Sequence, residues 1–321
     1  MVVIGGITRL THSGLSITEW NLIMGTIPPL SDDNWKVVYE KYQQTPEFQK
    51  INYDMTLSEF KYIFFWEYIH RLIGRMIGVV FLIPFIYFVI RKRLDKDMMR
   101  KAIYLFLLGG IQGFIGWFMV YSGLQENPHV SHYRLAMHLI TAFITFGFTL
   151  WFALDLIYPL KKENSIPAKD NILYKLSKTI LIVICVQIIY GAFVAGLHAG
   201  KVYTTFPKMG EEWIASAINA LQPFWRNFTE NLAGVQFIHR TIAYLLVTLI
   251  GLFWYISTKF DLSKRQRISV KILFFGLVYQ FTLGVFTLIY SVPVVLGVLH
   301  QMGAFFLFTA AVYMMHSLRS E

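Results

Sequence analysis

Cysteine and charge are the scarce components of this 321-residue chain. Its one cysteine, Cys185, excludes an intramolecular disulfide and any metal site built from thiolates alone. Charged residues make up 15% of the chain, against 55% hydrophobic ones. A soluble domain carries roughly 25% charge, so a soluble globular enzyme is excluded. Disordered and low-complexity chains fail on the same composition. Acidic residues are the rarer sign, 19 against 29 Lys and Arg, for a net charge of +10. In a soluble protein that excess would point to nucleic acid, so the positions of the charges have to be read first.

What is present instead is long apolar runs, with a mean hydropathy of +0.50. A transmembrane helix needs roughly 20 mostly apolar residues. Seven segments qualify: Tyr62–Ile90, Ile103–Tyr121, Leu135–Tyr158, Ile180–Leu197, Leu232–Ser257, Ile268–Tyr290 and Val292–Met315. A stub, Val2–Leu10, is too short to cross and lacks the basic flank of a signal peptide. The stretches Arg91–Lys101, Lys161–Lys178 and Lys259–Lys271, with Arg319, hold 17 of the 29 cationic residues. The alternate loops, Gly123–Tyr133 and Ala199–Asn231, are poor in them and carry Glu126, Glu211, Glu212 and Glu230. The positive-inside rule places the basic loops in the cytoplasm. The charge excess is therefore a topology signal, and no nucleic-acid partner is expected.

With that topology, Tyr62–Ile90 runs from outside to inside and residues 11–61 lie outside. They include Pro28-Pro29 and an amphipathic helix expected from Asp32 to Gln49, with Trp35, Val38, Tyr39 and Tyr42 on one face. Either the N-terminus already lies outside, or the stub is the outer end of an eighth helix whose remainder lies upstream.

The chain repeats itself. Glu67-Tyr68-Ile69-His70-Arg71 recurs as Gln236-Phe237-Ile238-His239-Arg240 at an offset of 169. Gln112-Gly113-Phe114-Ile115-Gly116 recurs as Gln280-Phe281-Thr282-Leu283-Gly284 at 168. His138 with Ala142-Phe143 pairs with His300 and Ala304-Phe305 at 162, and Gly5 and Gly14 pair with Gly191 and Gly200 at 186. One order with drifting offsets implies two homologous halves of four helices, inserted in the same sense. The expected fold is an all-α polytopic membrane protein of two pseudo-symmetric four-helix bundles, eight helices with the first truncated. The halves are expected at residues 1–160 and 179–321, joined by a cytoplasmic linker, 161–178.

Ionisable residues inside spans are costly and usually functional. His70, His138, His239 and His300 sit three to eight residues from the outer ends of their helices. That places all four within about 12 Å of the outer boundary. Two histidines facing each other across a bundle can ligate a haem iron axially. The plainer alternative is four separate histidines hydrogen-bonded between helices; their repetition as two pairs favours ligation. Zinc would lack a repeated third ligand. Arg71, Arg75, Arg134 and Arg240 lie nearby and suit anionic propionates, or they snorkel to the interface. The remaining histidines, His12, His129, His132, His198 and His316, read as solvated or capping residues.

The repeat breaks at one informative place. Where the second half has Gln236, the first has Glu67, on the same helix face as His70. A carboxyl group in an apolar setting can work as an acid or base; the alternative is an i, i+4 ion pair with Arg71.

These residues resemble a known family. The carrying strings are Ile4-Gly5-Gly6-Ile7-Thr8-Arg9-Leu10-Thr11-His12-Ser13-Gly14-Leu15-Ser16, Trp66-Glu67-Tyr68-Ile69-His70-Arg71-Leu72-Ile73-Gly74-Arg75, Gly196-Leu197-His198-Ala199-Gly200, Thr205-Phe206-Pro207-Lys208-Met209, Glu230-Asn231, and Gln236-Phe237-Ile238-His239-Arg240. Together they resemble haem A synthase over essentially the whole chain, most nearly the subtype of α-proteobacteria and mitochondria. The resemblance implies a multi-pass enzyme of the bacterial inner membrane, with its haem sites toward the outer face. Its activity would be oxidation of the C8 methyl of haem O to the formyl group of haem A, for cytochrome c oxidase assembly. It implies that His239 and His300 ligate a resident haem b, with Arg240 beside it. It implies that His70 and His138 ligate the substrate haem, with Arg71, Arg75 and Arg9 near its propionates, and that Glu67 is the essential acid. The loop cysteine pairs of Gram-positive members are absent here.

A second reading uses the same histidines without Glu67: a di-haem b-type electron carrier between membrane quinone and an outer partner. A third is a transporter with histidine proton relays. Expected partners are haem O synthase, cytochrome c oxidase assembly factors, membrane lipid and an electron-transfer partner whose identity is open, as is a homo-oligomer.

Overall fold

The computed structural model describes residues 1–20, 24–124, 129–159 and 172–319. Among them the regular elements are helical: α1 (Val2–Leu10), α2 (Asp32–Gln43), α3 (Pro46–Lys50), α4 (Leu57–Ile90), α5 (Lys96–Gly123), α6 (His132–Ile157), α7 (Ile172–Gly196), α8 (Leu232–Ser257), α9 (Lys264–Ile289) and α10 (Val294–Ser317), with short 3-10 turns between. The seven helices from α4 to α10 are long and apolar enough to cross a membrane. Helices satisfy their own backbone polar groups, which a lipid interior demands. The chain is an all-α, multi-pass membrane protein.

Most spans run past the apolar windows that betray them, and the caps explain why. A hydropathy window stops at the first charge, whereas a helix stops where its orphaned amides find a partner. Thr56 and Glu59 close a capping box at the start of α4, and Ser263 and Gln266 do the same for α9. The Asp95 carboxylate accepts from the Met98 amide at the start of α5 (2.8 Å). Only α8 coincides with its apolar run, because Asn231, its N-cap, ends the polar loop directly before it. Gly234 lets that cap form: a Cβ there would lie 2.1 Å from the Asn227 carbonyl oxygen.

The segment before α4 differs from expectation. One amphipathic helix from Asp32 to Gln49 is in fact two, α2 and α3. Thr45 stands before Pro46 and is held extended at ψ 152, which breaks the helix and caps the next one. The apolar face is as expected. Trp35, Tyr39 and Tyr42 pack on Phe60 and Phe64 of α4, and the Tyr42 and Phe60 rings stack at 5.0 Å. His12 and His198, which follow α1 and α7 at the repeat offset, both adopt left-handed backbone (φ 54 and 55). Histidine tolerates that conformation better than most residues, so these two are terminating residues.

The chain forms two compact units, Met1–His138 and Leu139–Glu321. In the first, α4 lies against α1, α2 and α5; in the second, α7, α8, α9 and α10 pack as neighbours. Glu126 and most of the expected linker, with Lys161, Lys162 and Lys169, fall outside the described residues.

Beneath the α2 face lies a buried acid. The Tyr42 hydroxyl donates to Glu47 Oε2 (3.2 Å) and accepts from Asn52 Nδ2 (2.7 Å). Burial, then the Glu67 charge, push the Glu47 carboxyl up to about 8, against the Tyr42 hydrogen bond and Arg9. The native state thus binds this proton more tightly than the unfolded chain, where glutamate titrates near ~4.3. The associated stability is complete below that lower value and is lost as pH rises through the native one. The melting temperature in detergent should therefore fall between about pH 5 and about pH 9, and Glu47→Gln should flatten the decline. An unchanged slope in the variant would rule Glu47 out as its source.

Candidate functional site

Four helix pairs repeat one contact. In each, a glycine of one helix faces a histidine ring of the next. A Cβ built on Gly5 of α1 would lie 3.1 Å from Cε1 of His70 on α4; Gly116 of α5 stands 3.0 Å from Cε1 of His138 on α6. In the second unit Gly191 of α7 meets His239 of α8 (3.4 Å), and Gly284 of α9 meets His300 of α10 (2.9 Å). A side chain at these glycines would press on the imidazole, or at Gly191 just touch it. The histidines are also brought together in pairs within each unit. His70 lies within electrostatic range of His138, and His239 within range of His300.

The arginines that follow the first histidine of each pair do matching work. Arg71 donates to the carbonyls of Ile17 (3.0 Å) and Glu19 (3.1 Å). Arg240 donates to those of Tyr203 (2.7 Å) and Thr205 (2.9 Å), and to Lys208 (3.2 Å). Residues 17 and 19 correspond to 203 and 205 at the same 186-residue offset. Each arginine therefore straps the segment after its half's first helix across the histidine helix.

Within this shared strap the halves differ at one side chain. Glu67 and Gln236 are both 2% exposed. The Gln236 amide donates to the Tyr203 carbonyl (2.9 Å). The Glu67 carboxylate instead accepts, at Oε2, from the Ser16 hydroxyl (2.7 Å) and the Ile17 amide (2.8 Å). Its Oε1 pairs with Arg71 at 2.6 Å. The ion pair with Arg71 does form, and it holds the carboxylate one turn before His70. The Arg71 guanidinium also lies 4.8 Å over the Trp20 ring.

The other sequence-flagged cations are engaged too. Arg75 donates to the Gly25 carbonyl (3.1 Å), Arg134 lies 4.3 Å over Phe118, and Arg9 interacts electrostatically with Glu47. His316 departs from expectation. It is not solvated but 1% exposed, between Arg265 Nη2 (2.6 Å from Nδ1) and Asp155 Oδ1 (3.3 Å from Nε2). Asp155 also pairs with Arg319. This polar knot carried no sequence signal, because Arg265 lies 51 and Asp155 161 residues from His316. Gln187, which reaches His239, was equally unmarked.

The pairs fit an axially ligated haem. Nδ1 of His70, His239 and His300 is buried with no hydrogen-bond partner. Unpaired buried polar atoms are rare in native proteins, and an imidazole with nitrogens to spare suits iron. No group of three His, Cys, Asp or Glu side chains suited to an ion occurs among the described residues. Each unit offers two imidazoles, the number a haem iron needs axially.

Paired imidazoles in helical bundles define a polytopic membrane protein of haem-handling type. The profile of the COX15-CtaA family, described as "Cytochrome oxidase assembly protein", matches residues 1–312. The chain belongs to this family. It is 50% identical over 320 residues to a protein of Flavobacterium psychrophilum named "Heme A synthase", covering 98% of this chain and 93% of that one. Proteins of the same name from Nitrosospira multiformis (46% over 321 residues, 100% and 90%) and Wolbachia pipientis wMel (43% over 322 residues, 100% and 89%) are similar to it as well.

The glycine contacts predict an order of damage. Gly284→Ala, at 2.9 Å, should lower the melting temperature most and Gly191→Ala, at 3.4 Å, least, with overpacking worth about 1–3 kcal/mol. Gly110→Ala, with nothing within 4 Å, should be neutral or stabilising, since alanine favours helix. A Gly284→Ala protein as stable as the parent would contradict the close approach.

Proposed function

We propose that the chain acts as a haem A synthase: an oxidoreductase of the inner membrane that converts the C8 methyl of haem O to the formyl group of haem A for cytochrome c oxidase biogenesis. Its relatives' name and the family assignment support the reaction class. The difference between Glu67 and Gln236, inside otherwise matching straps, carries the assignment of roles to the two halves.

His70 and His138 hold the substrate haem in this reading, and His239 and His300 a resident haem b, with Arg240 beside it. Haem b supplies one-electron transfer when bound. Arg71, Arg75 and Arg9 would supply cations for the anionic propionates, and the loops that Arg71 and Arg240 strap down would limit water entry at the outer end. Exchanging two C–H bonds of a methyl group for a C=O, with the oxygen taken from water, releases four protons and four electrons, the electrons leaving one at a time to an external acceptor. Glu67 can take up and release the protons; an amide at that position cannot. Its contacts with Ser16, Ile17 and Arg71 hold the carboxylate in place. An apolar cleft of about 370 Å³ beside Arg71's partner Trp20, lined by Gly109, Gly110, Gly113, Phe114 and Trp117, suits the substrate's isoprenoid tail. The basic loops face the cytoplasm and the histidines lie toward the outer side.

Pigment extracted from the membrane-purified protein tests the reading. Haem O or haem A beside haem b is expected; haem b alone would indicate an electron carrier, and no Soret band a transporter. Glu67→Gln should retain both haem sites and lose haem A formation by about 10²-fold or more. A near-normal haem A yield in that variant would remove Glu67 from the chemistry.

A further inference from the structure

One repeated string has no role in the function proposed above: Gln112-x-x-x-Gly116, which recurs as Gln280-x-x-x-Gly284. The structure adds a third copy, Gln187-x-x-x-Gly191. In all three, the glycine is the one that faces a histidine ring, and the glutamine lies one helical turn earlier on the same face. The Gln112 amide nitrogen is 3.1 Å from His138 Nδ1 and donates to the His138 carbonyl (3.0 Å). The Gln187 and Gln280 amides lie 3.4 and 3.5 Å from Nε2 of His239 and His300.

In the second unit both sides of this contact are incomplete. Oε1 of Gln187 and of Gln280, and Nδ1 of His239 and of His300, are all buried without a hydrogen-bond partner. The amide nitrogen faces ring Nε2 in both; a half-turn of the amide would bring the unpaired oxygen there as an acceptor and leave Nδ1 as the nitrogen available to iron. The amide is also accommodated: a Cβ on Gly303, almost one turn beyond His300, would lie 2.2 Å from Gln280 Oε1. An imidazole bound to iron through one nitrogen carries N–H on the other. Its acceptor sets ring orientation and basicity.

We propose that Gln187 and Gln280 are positioning residues, each turning its unpaired amide oxygen to the ring and accepting from the non-ligating N–H of an iron-bound histidine while the glycine one turn on makes room for the ring. The inference rests on the haem-ligation reading above. His70 faces Gly5, and Met1 stands four residues before that glycine. Both ligands of the second unit are held by amides, as a resident cofactor requires. In the first unit Gln112 instead donates to the His138 ring and carbonyl.

The test uses full-length, haem-loaded protein and reads the midpoint potential and the low-temperature EPR g values. Gln280→Leu and Gln187→Leu should raise the potential of the second-unit haem, shift its largest g value and weaken haem retention 10–100-fold. Gln280→Met, neutral and unbranched, is the substitute should a leucine variant fold poorly, with the same expectation. Gln280→Glu, a stronger acceptor of the same shape, should move the largest g value opposite to the leucine variants. Unchanged potential and g values in the neutral variants, or a glutamate shift in the leucine direction, would overturn the glutamine role. Absence of any bis-imidazole signal from the parent protein would instead overturn the haem-ligation reading itself.

Discussion

An imidazole set edge-on against a glycine is the contact on which the rest of this structure depends. It occurs at Gly5 and His70, Gly116 and His138, Gly191 and His239, and Gly284 and His300. A side chain larger than hydrogen would press on the rings of His70, His138 and His300 and just touch that of His239. Because the contact lies between helices, it sets how closely each pair approaches and where a histidine points within its bundle. The glutamines one turn away, the arginine straps and the position of Glu67 all follow from that spacing. Apolar burial alone would let these helices slide past one another; polar atoms that must be matched in a dry interior allow far fewer arrangements.

The straps show how one scaffold can hold two chemistries. Arg71 and Arg240 make the same carbonyl contacts at the same repeat offset. Under one strap sits an amide that donates to a carbonyl, under the other a carboxylate that accepts from Ser16 and Ile17 and pairs with Arg71. Replacing one atom of a side chain changes a fixed donor into a group able to carry a proton, while helix positions are preserved. In the proposed function this difference separates a substrate half from an electron-transfer half.

Much of this was legible along the chain. Seven spans, the stub, the four histidines and the Glu67–Gln236 difference follow from hydropathy and from the internal repeat, which aligns residues far apart in sequence. Other features were not. The break between α2 and α3 turns on Thr45 being held extended before Pro46, a local backbone effect that the amphipathic pattern hides. His316 was expected in solvent because it lies near a helix end; Asp155 and Arg265 enclose it from helices distant in sequence. Gln187 escaped notice because its partner position in the first half is Met1. The i, i+4 spacing announced the Glu67–Arg71 pair, but not Ser16, which approaches from a loop 51 residues away.

By itself the sequence determined the class of protein and the order of its spans, and it marked the repeated histidines and the Glu67–Gln236 difference. Those depend on composition and periodicity, which are properties of the linear chain in a lipid solvent. Only the tertiary structure decided which glycine faces which histidine, which carbonyls the arginines hold and which buried nitrogens stand unpaired. Such pairings depend on the rotation and separation of neighbouring helices, set by packing across the bundle and encoded in no single segment.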